Sequence, residues 1–395
     1  METVIDTERE RALTPGCLDR VFLDSAGSSL PPAPVVDTVV DHLRREQQVG
    51  GYRAAAERSE DLAAVPGSLA RLLRCSAEEI ALSDSSTRAW NSLVTAIDLA
   101  AGDRVLICGN EYASNAIALL QRARQGGCTV EVVPAAADGS TDIEAFAALL
   151  DERVRLVSLV HVPTNSGSVA PVAELARLAH EVGALVVLDA CQSVGQLALD
   201  VDSLGVDALT GSGRKWLRAP RGTGFLYLRA SSLGHLEPRA ADLRGATWTS
   251  PTSYRLRADA ARFELWEHDV AGRLGLGAAV DHLLALGPGV VEEAVRAGAA
   301  RLRTSLAGLD RVTLRDQGVD LSGIVTLTVA GADPSVLKEQ LYAAGVTASV
   351  SSASSTLLDM RRRDLESVVR LSPHYFNSTN DLDIAVETLA DVIGS

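Results

Sequence analysis

The chain has no block of basic residues, no apolar run of membrane-spanning length, no internal repeat and no low-complexity segment. Each absence excludes a class of protein. Lys and Arg number 37 against 51 Asp and Glu, a net charge of −14, and an acidic chain without a basic patch is a poor partner for nucleic acid. Without about 20 consecutive apolar residues no transmembrane helix is predicted. The N-terminal METVIDTERERALTPG has no cationic region followed by an apolar core, so no secretory signal is expected. Cysteines are few, odd in number and scattered, at Cys17, Cys75, Cys108, Cys128 and Cys191. They lack the paired spacing of a disulfide framework or a zinc site, so no metal is predicted and a cytoplasmic location fits.

What is present is a well-filled globular core. Apolar residues make up 47% of 395, enough for a large domain and a smaller one. The most informative stretch is 185–228, where two short apolar runs, 185–188 and 206–210, end in Asp189 and in the turn Ser212-Gly213-Arg214-Lys215. Such runs predict buried strands of a parallel sheet, and open α/β sheets bind ligands at the carboxyl ends of their strands. A lysine amine condenses with an aldehyde, and a carboxylate keeps a pyridine nitrogen protonated so that the ring accepts electrons. That pair suits pyridoxal 5′-phosphate (PLP).

The remaining candidates fall at similar places. Ser25 to Ser29 form a small-residue turn that brings backbone N–H groups near a ligand or simply enters a helix. Ser86 and Thr87 precede a helical pattern, where hydroxyls and free N–H groups bind phosphate or merely cap; beside a PLP lysine the phosphate site is favoured. Tyr112 follows strand 104–108 and either stacks on a pyridine or packs at a helix start. Asn165, after strand 155–162, is a donor to a phenolic oxygen or a turn residue. Strand–helix alternation over 79–228 predicts a mainly parallel, helix-covered sheet. Helices 270–286, 291–307, 334–344 and 381–393 with strands 323–329, 346–350 and 368–371 predict a smaller α+β part, and the region after residue 228 reads as irregular. The expected division is 21–268 for the large domain, with 1–20 and 269–395 forming the small one.

Eight segments in order, FLDSAGSSLPP, SSTRAWN, NEYASN, PTNSGSVAPV, LVVLDACQSVGQ, GSGRKW, RGTGFLY and RLSPHYFNSTNDLD, resemble the class V aminotransferase superfamily, the group that includes the cysteine desulfurases. The resemblance implies a PLP-dependent transferase of fold type I with a seven-stranded-type sheet. It implies that Lys215 binds the cofactor aldehyde, Asp189 pairs with the pyridine nitrogen, and Gln192 and Asn165 flank the phenolic oxygen. Ser86, Thr87 and Ser212 would bind phosphate, joined by Arg214. Tyr112 would stand where the family stacks an aromatic ring. Thr247 falls in the loop that reaches the neighbouring subunit's phosphate, which implies a homodimer. Arg370 matches the arginine that grips the substrate α-carboxylate through a bidentate pair, with Ser25 and Gly27 beside it; the bland alternative is a surface arginine.

Two departures shape the expected activity. Cysteine desulfurases carry a nucleophilic thiol on a small-domain loop, yet this chain has no cysteine after Cys191, and the corresponding region reads ASVSSASSTLLDM. Arg214 replaces the usual histidine before the lysine. In these respects the chain resembles the ergothioneine-pathway C–S lyases and the lincosamide-pathway cysteine-conjugate enzymes. The resulting expectation is a C–S β-lyase: Lys215 removes the Cα proton of an S-substituted cysteine, and thiol or sulfenate, pyruvate and ammonia leave, in antibiotic-type biosynthesis. The alternatives are decarboxylation with oxidative deamination, epimerase or transaminase activity, and a catalytically silent binding protein. Trp248, Tyr254, Trp266 and the segment 350–356 either line the substituent pocket or pack an interface.

Overall fold

The computed structural model describes residues 5–394; residues 1–4 of the expected 1–20 segment and residue 395 of the expected 269–395 part lie outside the described residues. Seven strands form the central sheet: β1 (Ile80–Ser83), β2 (Arg104–Cys108), β3 (Thr129–Val133), β4 (Val154–Val160), β5 (Leu185–Asp189), β6 (Ala208–Ser212) and β7 (Gly224–Leu228). Their order is β1-β7-β6-β5-β4-β2-β3. Only β7 runs antiparallel to its neighbours, so the sheet is mixed and mainly parallel, as expected.

Alternate residues of each strand feed opposite faces, the period-2 consequence of the pleat. Leu106, Leu188, Leu209 and Phe225 join one apolar layer, whereas Val105, Ile107, Val187, Ala208 and Leu226 join the other. Both layers are covered by helices, which is why these strands read as nearly unbroken apolar runs. The helix Val270–Leu286 is buried along most of its length and packs on Ala33–Val49 and Ser59–Leu73. Among the described residues no single helix is long and apolar enough to cross a membrane.

A second, antiparallel sheet contains β8 (Val312–Leu314), β9 (Val325–Val329), β10 (Ser349–Ser352) and β11 (Ser367–Leu371), in the order β8-β9-β11-β10. The strand expected over 346–350 is instead two. Val346–Thr347 pairs in parallel with Val21–Phe22, while Ser349–Ser352 pairs with β11. That parallel pair and the bridge from Asp24 to Ser372 bring residues 21–27 alongside Arg370. Three further expectations need correction. Ser25–Ser28 is a short helix rather than a turn, because Ser28 N–H bonds back to the Asp24 carbonyl at 3.0 Å. The strand expected over 206–210 starts at Ala208 and carries Ser212 as its last residue. The stretch expected to be irregular contains the antiparallel pair Ala246–Ser250 and Ser253–Leu256, whose exposed faces give no apolar alternation to read.

Candidate active site

The carboxyl ends of β2, β4, β5 and β6 open into one cleft of about 100 Å³. Parallel strands deliver their following loops to the same edge, so residues distant in sequence meet there. Ser86, Thr87, Tyr112, Asp189, Gln192, Ser212, Arg214 and Lys215 all line it. Arg370, Asn165, Ser25, Gly27 and Thr247 do not.

Lys215 follows β6 in a tight turn in which Gly213 N–H bonds to the Thr223 carbonyl and Arg218 N–H to the Lys215 carbonyl, both at 3.0 Å. Burial lowers its pKa, with Arg214 and Arg370 adding to the effect and Asp189 opposing it. Lowering favours the neutral amine, the form able to attack a carbonyl. Asp189 ends β5 and is 7% exposed. Its Oδ1 accepts from Cys191 N–H at 2.9 Å and its Oδ2 from Asn115 Nδ2 at 2.8 Å, which fixes the carboxylate plane. Gln192 is held at both ends: Nε2 donates to the Ala26 carbonyl at 3.0 Å and Oε1 accepts from Trp216 Nε1 at 2.9 Å.

The helix Ser86–Ala96 points its N-terminus at the cleft. Ser85 is its cap, accepting from Arg88 N–H at 3.1 Å, so the capping and phosphate readings fall on different residues and the Ser86 and Thr87 groups face the cleft. Helix N-termini with unpaired N–H groups attract phosphate. Gly224 on β7 makes this approach possible, since a Cβ there would lie 2.6 Å from Ser86 N and Ser85 C. The amine, the carboxylate and the hydroxyl-lined helix end fit the aldehyde, ring nitrogen and phosphate of PLP.

Arg370 lies behind the cleft wall. Its Nη1 donates to Thr164 Oγ1, and Thr164 lines the cleft. Nη2 sits 3.1 Å from Asp24 Oδ1 and Nε donates to Ser349 Oγ at 3.1 Å. Burial lowers its pKa while Asp24 opposes the shift. Asn165 is buried with Nδ2 donating to Asp359 Oδ2 at 2.7 Å and with Oδ1 unpartnered. Arg214 donates to the Gly27 carbonyl, and Ser25 Oγ accepts from Ser29 Oγ at 3.2 Å. Thr247 lies on the exposed hairpin with Trp248 and Tyr254, away from this cleft. Sequence reasoning missed Thr164 and Asn110, both at the cleft, whereas Thr356, also there, lies in the 350–356 segment offered as pocket lining. Asn110 Oδ1 and Thr356 Oγ1 are both buried without a partner, and Asn110 has no sequence signal beyond lying in the NEYASN motif.

The sequence model of the family described as aminotransferase class-V matches residues 21–384. The chain belongs to that family. Its cofactor is accordingly PLP, and its fold is the α/β type I fold of these enzymes. The chain is 29% identical over 394 residues to a probable cysteine desulfurase of Methanothermobacter thermautotrophicus, covering 98% of each chain. It is 34% identical over 322 residues to a cysteine desulfurase of Dickeya dadantii, covering 78% of this chain and 76% of that one. The apo structure of a cysteine desulfurase from Thermococcus onnurineus NA1 superposes with a TM-score of 0.91 at 23% identity, covering 100% of both, and bears on the fold alone.

These relatives overturn the expectation of a C–S β-lyase releasing pyruvate and ammonia from an S-substituted cysteine, and with it the antibiotic-biosynthesis role. The curated relatives that align over most of the chain are cysteine desulfurases. The error has a physical source. Lysine, aspartate and arginine around PLP serve several bond cleavages equally, so Arg214 and a missing thiol carried too much weight. The narrower likeness to ergothioneine- and lincosamide-pathway enzymes gains no support from these relatives.

Proposed function

We propose that the protein is a PLP-dependent enzyme of the cysteine-desulfurase type, which withdraws the sulfur of free cysteine. The observation that carries this reading is the meeting of Lys215, Asp189 and the Ser86–Thr87 helix end in one cleft, taken with relatives of that activity. When bound, PLP would supply an aldehyde for the substrate amine and an electron-accepting ring conjugated to Cα. Asp189 would hold the ring-nitrogen proton, Tyr112 would cover the ring, and Ser86, Thr87, Ser212 and Arg214 would hold phosphate. Gln192 would stand beside the phenolic oxygen, and Asn165, whose amide is turned to Asp359 outside the cleft, would have to turn to join it. Arg370, flanked by residues 25–27, orients the substrate carboxylate, and Lys215 moves the proton at Cα.

In sulfur transfer the Cβ–S bond breaks as the leaving sulfur bonds to an acceptor thiol sulfur, and Cβ takes up a proton. Cysteine and thiol thus become alanine and persulfide. No thiol of this chain is placed to accept. Cys191 stands in the cleft wall with Sγ donating to Ser86 Oγ at 2.8 Å, and burial pushes its pKa up to about 12, whereas the acceptor must be a thiolate. Segment 349–356 carries hydroxyls, Val350 and Ala353 but no thiol. The acceptor is therefore a thiol from outside the chain. Holoenzyme given L-cysteine and dithiothreitol should form one alanine per sulfide released. Pyruvate in place of alanine, or no turnover, would overturn the reading.

The active protein is proposed to be a homodimer. The exposed Trp248, Tyr254 and Trp266 are the kind of aromatic surface that a second copy covers, and Thr247 on the same hairpin as Trp248 and Tyr254 would then reach the partner's phosphate. A cytoplasmic location agrees with five free cysteines.

A further inference from the structure

Beneath the cleft a second carboxylate, Glu111, is 3% exposed and has no role in the reaction just described. It sits in the loop between β2 and the helix Ala113–Gly126. Its Oε1 accepts from Tyr112 N–H at 2.9 Å and from Asn115 Nδ2 at 3.0 Å. Asn115 Nδ2 also donates to Asp189 Oδ2 at 2.8 Å. Its Oε2 lies 2.5 Å from Ser158 Oγ on β4. One amide nitrogen has two hydrogens, so Asn115 satisfies both carboxylates at once. Glu111 therefore touches the backbone that presents Tyr112 and, through Asn115, the carboxylate that faces the ring nitrogen.

We propose that Glu111 is a positioning residue that holds Tyr112 and Asp189 in register for the face and the nitrogen edge of a bound PLP ring, and that its charge state sets the negative charge felt at the ring nitrogen. The proposal rests on the PLP assignment. Two buried carboxylates joined through one amide do not ionise independently. Burial raises the pKa of Glu111 to about 7, with Asp189 adding to the effect and Ser158, Asn115 and the Tyr112 N–H opposing it. Also near it are the Tyr112 phenol and Cys108 on β2, whose thiol burial pushes up to about 12. Among the described residues no cation forms an ion pair with Glu111. Near neutral pH Glu111 is thus close to its titration midpoint, and Ser158 Oγ donates to its ionised form.

The test uses the holoenzyme and two readouts besides activity: the dissociation constant for PLP and the pH midpoint of the visible absorption band. Glu111→Ala should weaken PLP binding roughly 10- to 100-fold, as expected for losing a hydrogen bond to a charged group, and should shift the midpoint. Glu111→Gln keeps the shape and the acceptor oxygen, so it should restore affinity to within about threefold while leaving the midpoint shifted. Asn115→Ala, which cuts the link and leaves the carboxylate, should reproduce the shift and covers the case in which Glu111→Ala fails to fold. Wild-type midpoints in both Glu111→Gln and Asn115→Ala would overturn the proposal. Failure of the unsubstituted chain to bind PLP would instead overturn the cofactor assignment.

Discussion

Nη2 of Arg370 lies 3.1 Å from Oδ1 of Asp24, a residue 346 positions earlier in the chain. The parallel pairing of Val21–Phe22 with Val346–Thr347 builds this contact, by carrying the N-terminal segment across the second sheet. The guanidinium is thereby held at a defined angle before substrate arrives. Its remaining bonds go to neutral hydroxyls of Thr164 and Ser349, which a carboxylate can outcompete as a charged acceptor.

Arg370→Ala should raise KM for L-cysteine roughly 10- to 100-fold, the cost of a charge-assisted bond, and leave the visible PLP band in place. Arg370→Lys should rescue it poorly, because an ammonium cannot reproduce the planar fork. Steady-state alanine formation checks both. An unchanged KM in Arg370→Ala would remove the carboxylate role.

Lys215→Ala should abolish the visible band and turnover while retaining PLP through the phosphate cradle. Borohydride reduction followed by mass measurement separates the two states. The unsubstituted chain should keep a covalent PLP adduct, and the variant should lose it on denaturation. A persistent adduct in the variant would place the attachment on another amine.

The sheet and the cleft were readable to different depths. Buried parallel strands carry side chains on two apolar faces, so runs such as 185–188 announced themselves, and the carboxyl-end rule then placed Asp189 and Lys215 at the site. Ser25–Ser28 was misread because small residues serve a turn and a short helix equally. The exposed hairpin around Thr247 gives no apolar period at all. Glu111 lies within the NEYASN motif, but the burial of an acid and its bond to Asn115 exist only in three dimensions. Bond selectivity was not legible, because the residues around PLP are common to several reactions.

Gly224→Ala should weaken PLP binding and lower Tm, since the new methyl would meet the Ser85–Ser86 backbone at 2.6 Å and neither backbone can yield cheaply. Overpacking of this kind costs about 1–3 kcal/mol. Gly67→Ala is the matched control. Gly67 lies inside the helix Ser59–Leu73 with nothing within 4 Å of an added Cβ, so the substitution should stabilise by up to about 1 kcal/mol. Thermal melts with and without PLP distinguish the two, and equal behaviour would refute the cradle argument.

The pH dependence of stability should contain two opposed contributions. Burial lowers the pKa of His161 from 6.5 to about 4, so below about 6.5 the unfolded chain takes up a proton that the native chain refuses. Stability is therefore lost as pH falls from 6.5 to 4, by about 3 kcal/mol for a shift of this size. Glu111 works the other way. Its folded pKa of about 7 lies above the ordinary 4.5, so its contribution is present at pH 4.5 and is lost as pH rises toward 7. His161→Gln should accordingly lose less stability than the unsubstituted chain between pH 7 and pH 4.5, and Glu111→Gln should lose more. Urea midpoints at the two pH values, converted with a common m-value, read the difference directly. Identical losses in all three proteins would show that neither side chain titrates differently on folding.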